Sequence, residues 1–243
     1  MSHRRVDTDA ALASLAERYG LGVPAVVSLR ALLELIVADP HAPTAINDAA
    51  RAVDDHLADS LVALDLDVVR GAHVAADIGS GAGLPGLALA IALPAADFTL
   101  VESAARKCAF LERAVAASGA TNVDVVCARA ESWTGGIGRH DLVTARALAP
   151  LDVVAEYAAP LLRVGGTLVV WRGQRDPAAE AAAERAAEQL GLTPPGIRPV
   201  HPYRAAEHRH LYVYSKVMET PLGFPRRPGA ALKRPLGARI SPT

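Results

Sequence analysis

Residues 77–86 read Asp-Ile-Gly-Ser-Gly-Ala-Gly-Leu-Pro-Gly, four glycines and a proline in ten positions. A run so poor in side chains sustains neither a long helix nor a strand interior. It closes the apolar stretch 72–79, which reads as a buried strand, and opens the helical stretch 84–93. Strand, bare turn and helix in that order restrict the chain to folds in which the two elements alternate. The alternation continues. Further strands are predicted at 97–102, 122–128, 141–146 and 166–173, with helices at 103–119 and 151–162 between them. Such units need right-handed crossovers and give a parallel sheet. The stretches 196–203 and 208–217 are also strand-like, but leave no room for a crossover helix, so they are expected to pair antiparallel.

Three zones follow along the chain: a helical extension over 1–70, an α/β domain over 71–218, and a tail over 219–243 rich in Pro, Gly and Arg. In the first, helices are predicted at 9–20, 24–40 and 47–66. In the second, Ser103 is a candidate N-cap with Gly119 as the stop, and a further helix runs from cap Asp176 and Pro177 to Gly191. Its Glu180, Glu184 and Glu188 read as a solvated face. At 243 residues and 51% hydrophobic, the chain can bury a sizeable core. No secretory leader or bilayer-length apolar run is seen. Cys108 and Cys127 lack metal-ligand spacing and are expected as separate reduced thiols in a cytoplasmic protein. His208 and His210 have no third ligand in sight, so no metal is expected. From Ile197 onward nine basic side chains face two acidic ones, on a chain of net charge −1. That asymmetry points to a polyanionic partner.

The glycine turn sets the ligand class. Missing side chains let a ligand lie directly on backbone amides, and Gly81–Gly86 satisfies G-x-G-x-x-G, a pattern shared by dinucleotide and adenosyl sites. Asp77 before the turn suits the ammonium of a methionine moiety and would repel a pyrophosphate. Glu102 ends the second strand, where a carboxylate accepts from ribose hydroxyls, and Ala130 and Glu131 follow the third, where an adenine edge would be read. Together with the terminal hairpin, these favour S-adenosylmethionine over NAD and a Rossmann-like methyltransferase fold.

Several motifs, in order, resemble the RsmG (GidB) family of bacterial 16S rRNA methyltransferases. They are "HLADSL" at 56–61, "DIGSGAGLPGLALAI", "LVESAARKCAFL", "ARAES", "VTARALAPL", "RHLYVY" and "PRRPGAALKRPLG". The resemblance spans about 42–236. It implies methylation of N7 of a guanine, with cofactor contacts at Gly79, Leu84, Ala130, Glu131 and Arg146; Asp77, Gly81, Gly83 and Glu102 complete the cofactor set. His56 and Asp59, from the family signature, are expected along the substrate cleft. Arg146, at the end of the fourth strand, is the candidate catalytic residue. Arg172, Arg204, Arg209, Arg226, Arg227, Lys233 and Arg234 are candidate RNA contacts, and 16S rRNA or an assembling 30S subunit is the expected partner, with neither a membrane nor an obligate protein partner. Ala42-Pro43-Thr44 and Arg172-Gly173 replace the family's usual Asn-Leu-Thr and Lys-Gly. Three other readings remain open on the residues alone: a methyltransferase for small molecules or proteins, an NAD-dependent oxidoreductase, and a non-catalytic RNA-binding module.

Overall fold

A computed structural model describes residues 2–44 and 49–238. The sheet has seven strands in the order β3-β2-β1-β4-β5-β7-β6. They are β1 Val74–Ile78, β2 Asp97–Glu102, β3 Val123–Cys127, β4 His140–Arg146, β5 Leu162–Arg172, β6 Gly196–Pro199 and β7 His210–Ser215. The first five are parallel, and β7 runs antiparallel to both β5 and β6. The expected hairpin is therefore present, with β7 inserted between β5 and β6.

The period of two along each strand divides the core. Ala75, Leu142, Val169 and Leu211 face one side; Ala76, Val143, Leu168, Val170 and Tyr212 face the other. The first side is covered by α6 Gly86–Ala92 and α7 Ala105–Ser118, and above them by the N-terminal helices α1 Ser2–Tyr19 and α2 Val23–Ala38. Leu12, Leu29, Leu32 and Leu61 belong to the same buried cluster as Leu87, Phe98 and Leu111. The second side carries α8 Leu151–Ala158 and α9 Pro177–Gln189. Asp176 caps α9 through Ala178 N and Ala179 N, and Gly119 ends α7 at φ +68°.

Several local expectations are corrected. The stretch predicted as one helix from 47 is broken into α3 Ala49–Ala52, a π-helical turn Val53–Ala58, α4 Asp59–Leu61 and a 3-10 turn Val62–Asp65, followed by α5 Asp67–Arg70; its predicted start at Asn47 and Asp48 lies outside the described residues. Ser103 is not the cap of α7. The Glu102 carboxylate takes the Ser103 and Ala104 amides instead, and the Ser103 hydroxyl turns toward the same carboxylate. Glu180 is not solvated: it is buried, bonded by Arg175 and by the Tyr212 hydroxyl, whereas Glu184 and Glu188 are exposed. Cys108 and Cys127 are joined as a disulfide with Cα atoms 5.7 Å apart. Pairing of β2 with β3 sets Cys127 opposite Glu102, and the first turn of α7 returns Cys108 to the same place. The tail folds back on the body. Arg185 donates to Gly237 O, and α10 Ala230–Lys233 sets Ala231 in the α8–α9 side of the core. No described helix is long and apolar enough to cross a membrane.

Candidate active site

The turn after β1 is fastened to β2 by Gly79 N and Ser80 N, which both donate to Val101 O at 2.8 and 3.2 Å. Gly79 sits at φ +72°, a conformation that favours glycine, and a Cβ there would lie 2.5 Å from Leu148 Cδ1 and displace that side chain. Gly83 N and Leu84 N bond to Ser80 O, and Gly81 N bonds to Glu102 Oε2 at 3.2 Å. Five amides around the turn are thus engaged internally. What it offers a ligand is clear backbone surface more than free donors, which corrects the expectation of an open amide cradle.

Asp77 is placed under the turn, not on its rim. It is 1% exposed because it shares the Ala75 face of β1, beneath the start of α6. There Gly86 leaves room for it: a Cβ at Gly86 would come within 2.5 Å of Asp77 Cβ. Asp77 Oδ1 accepts from Thr144 Oγ1 at 2.7 Å, while Oδ2 has no hydrogen-bond partner among the described residues. Burial pushes its pKa up to about 6, against the hydrogen bonds that favour the anion. The carboxylate is therefore enclosed between β1, β4 and the start of α6.

Glu102 closes β2 beside the turn. Its Oε1 accepts from Ser103 N and Ala104 N at 2.7 and 2.9 Å, which fixes the carboxylate against the chain. Ala130 is buried in the turn Ala130–Ser132. Glu131 is engaged by the tail: its Oε1 accepts from Gly229 N at 3.2 Å and lies 3.8 Å from Arg129 Nη1.

At the carboxyl ends of β4 and β5 a cleft of about 350 Å³ is lined by Asp55, His56, Asp59, Arg146, Ala147, Trp171, Arg172, Gly173 and Arg209. Arg146 and Trp171 are neighbours in register on β4 and β5. Arg146 Nη1 donates to Asp59 Oδ2 at 2.8 Å, and Arg209 Nε donates to Asp59 Oδ1 at 3.2 Å. Trp171 is buried, its Nε1 donating to Asp59 O at 2.7 Å, so it packs and does not stack on bases. Ala147 adopts φ +54°, rare for a residue with a side chain. It directs the chain so that Leu148 packs on Gly79 while Arg146 remains in the cleft. Larger hollows, about 590 and 790 Å³, lie at the amino ends of β1–β3 and beside β6, away from these groups.

The candidate RNA contacts divide three ways. Arg172 and Arg209 line the cleft; burial lowers the Arg172 pKa, and its Nη2 bonds Ala149 O. Arg204, Arg227, Lys233 and Arg234 are exposed. Arg226 departs from expectation: its guanidinium grips the buried Glu156 carboxylate with two donors and also holds Arg234 O, so it is a structural bolt for the tail. Sequence reasoning missed Asp55, which accepts from the Tyr203 hydroxyl at 2.5 Å. The four-residue spacing of Asp55 and Asp59 was the available signal.

The profile of the GidB family, described as rRNA small subunit methyltransferase G, matches residues 32–201. The chain belongs to the GidB family. Its relatives include the protein named Ribosomal RNA small subunit methyltransferase G in Chloroflexus aggregans, 42% identical over 198 residues, covering 79% of this chain and 82% of that one. The protein of the same name in Rubrobacter xylanophilus is 41% identical over 188 residues, covering 75% and 72%. Among solved structures, the S-adenosylmethionine-dependent methyltransferase SibL superposes with a TM-score of 0.56 at 14% identity, covering 87% of this chain and 74% of that one. A protein described as a predicted O-methyltransferase from Agrobacterium tumefaciens does so at 0.50 and 24%, covering 67% and 80%. These two likenesses show the fold, that of Rossmann-like methyltransferases. The GidB chain is thus a methyltransferase by family.

Proposed function

We propose that this GidB chain transfers a methyl group from S-adenosylmethionine to N7 of a guanine in 16S rRNA, free or within an assembling 30S subunit, in the cytoplasm. One observation carries the reading. The residue pair Ala147–Leu148 joins the glycine turn to the arginine-lined cleft, so a ligand on the turn and a base in the cleft would meet at the end of β4.

The residues fit such a cofactor: Gly81 leaves its Cβ side clear, with no atom nearer than Gly79 O at 3.8 Å, and Glu102 stands fixed at the end of β2. Bound S-adenosylmethionine supplies a methyl carbon made electrophilic by its sulfonium. Guanine N7 has an in-plane lone pair and no proton to lose, so the chain has to align and hold; no general base is required. Among the described residues Arg146 forms its hydrogen bonds through Nη1 alone, which leaves Nε and Nη2 to hold the target nucleotide. In A-form RNA the N7 edge lies in a deep, narrow groove, so the target is unpaired or splayed out. Arg204, Arg227, Lys233 and Arg234 supply phosphate contacts around it.

Calorimetry with S-adenosylmethionine and with NAD tests the cofactor, and mapping of modified guanines on 16S rRNA from cells with and without the protein tests the reaction. Arg146, one of the cofactor contacts that the resemblance implies, is assigned to the nucleotide in this reading, so Arg146→Ala is expected to retain the fold and cofactor binding and to lose methyl transfer by about 10²-fold or more. Uptake of NAD in place of S-adenosylmethionine, or an unaltered modification map, overturns the reading.

A further inference from the structure

We infer that Asp59, supplied by the N-terminal helices, is the positioning residue that sets Arg146 for methyl transfer. The inference rests on the function proposed above and assigns a role within it.

Asp59 is 5% exposed and is gripped from three directions. Arg146 reaches it from the end of β4, Arg209 from the loop before β7, and the Trp171 indole bonds its main-chain carbonyl from β5. The two arginines are not equivalent. Arg209 uses all three nitrogens: Nε on Asp59, Nη1 on His208 O at 3.5 Å and Nη2 on the Tyr203 hydroxyl at 3.4 Å. It is a buttress. Among the described residues Arg146 bonds through Nη1 alone, to Asp59 Oδ2 and, at 3.5 Å, to Asp55 O, with its side chain 19% exposed to the cleft. One corner of its guanidinium is therefore clamped, and the opposite edge keeps its donors.

The clamp is itself anchored. Asp55, one helical turn before Asp59, accepts from the Tyr203 hydroxyl, and Tyr203 in turn accepts from Arg209. The segment before Asp59 is the π-helical turn Val53–Ala58, a form enriched at functional sites. With one carboxylate against two guanidiniums, Asp59 fixes Arg146 without cancelling the positive charge that a nucleotide would meet. A long side chain held this way has lost its rotamer freedom before the substrate arrives.

The decisive experiment is a double-mutant cycle of Asp59→Asn and Arg146→Ala, read as kcat and KM for 16S rRNA, with S-adenosylmethionine affinity by calorimetry and thermal unfolding alongside. Asp59→Asn is expected to lower kcat by about 10²-fold, since small misplacements have that effect. Cofactor affinity stays at the wild-type value, and Asp59→Glu restores part of the rate. In the Arg146→Ala background the same change costs little, because its effect passes through Arg146. If Asp59→Asn does not fold, Arg209→Gln removes the buttress while leaving Asp59 with Arg146, and is expected to lower kcat with cofactor affinity unchanged. Wild-type kcat in a folded Asp59→Asn, or in Arg209→Gln when that variant is used, or losses that simply add across the cycle, overturn the inference alone. A wild-type chain that methylates no 16S rRNA overturns the functional reading, and the inference with it.

Discussion

Asp77 shows how one side chain links the stability of this fold to its chemistry. Burial raises its pKa from the ordinary carboxylate range to about 6. The sign follows from linkage. Between the unfolded value and about 6 the folded chain holds a proton that the unfolded chain has lost, so stability falls as pH rises through that window and is level above it. The cost at neutral pH is about 3 kcal/mol. Asp77→Asn is therefore expected to gain on the wild type as pH rises from ~4 to ~7.5, measured by urea denaturation at both ends, while cofactor affinity falls. An equal stability difference at the two pH values counts against the buried-acid account. The sequence marked Asp77 as important from its place before the glycines. Its orientation was not legible, because strand parity puts it under Gly86 only once α6 has been laid across β1.

At the scale of elements, the glycine turn and the end of β4 behave as one unit. Gly79→Ala brings a left-handed backbone, worth about 1–2 kcal/mol of strain, together with an overlap on Leu148 at 2.5 Å. Loss of both stability and cofactor affinity is expected. Adding Leu148→Ala should relieve the overlap and leave the strain, so denaturation of the double variant recovers only part of the loss. The strands were legible because strands buried on both faces read as short apolar runs between helical stretches, and α9 was legible because Asp176 and Pro177 are local signals. The stretch from Ala49 to Asp65 was not, since three- and four-residue apolar steps over so few residues do not separate single α, π and 3-10 turns, and packing against α1, α2 and α6 selects among them. The disulfide was hidden for a similar reason: nineteen residues separate its cysteines, and the β2–β3 register is what unites them.

For the whole molecule, the charge asymmetry of the sequence resolves into two populations of arginine. Arg226→Ala strands the Glu156 carboxylate, whose side chain is 2% exposed, and is expected to cost about 3–5 kcal/mol on denaturation. Replacing Arg227, Lys233 and Arg234 by Gln should leave stability nearly untouched and flatten the salt dependence of RNA binding by about one unit of slope for each phosphate released. An unchanged slope assigns those three to solvent. Composition announced a polyanion-binding end, yet it could not say which cations were already committed inside the protein. The order of Asp59 and its partners along the chain has a consequence for biosynthesis. The carboxylate leaves the ribosome 87 residues ahead of Arg146 and 150 ahead of Arg209. A nascent chain can therefore complete its glycine turn while the Asp59 clamp on Arg146 still lacks its buttress, which arrives only when Arg209 has been made.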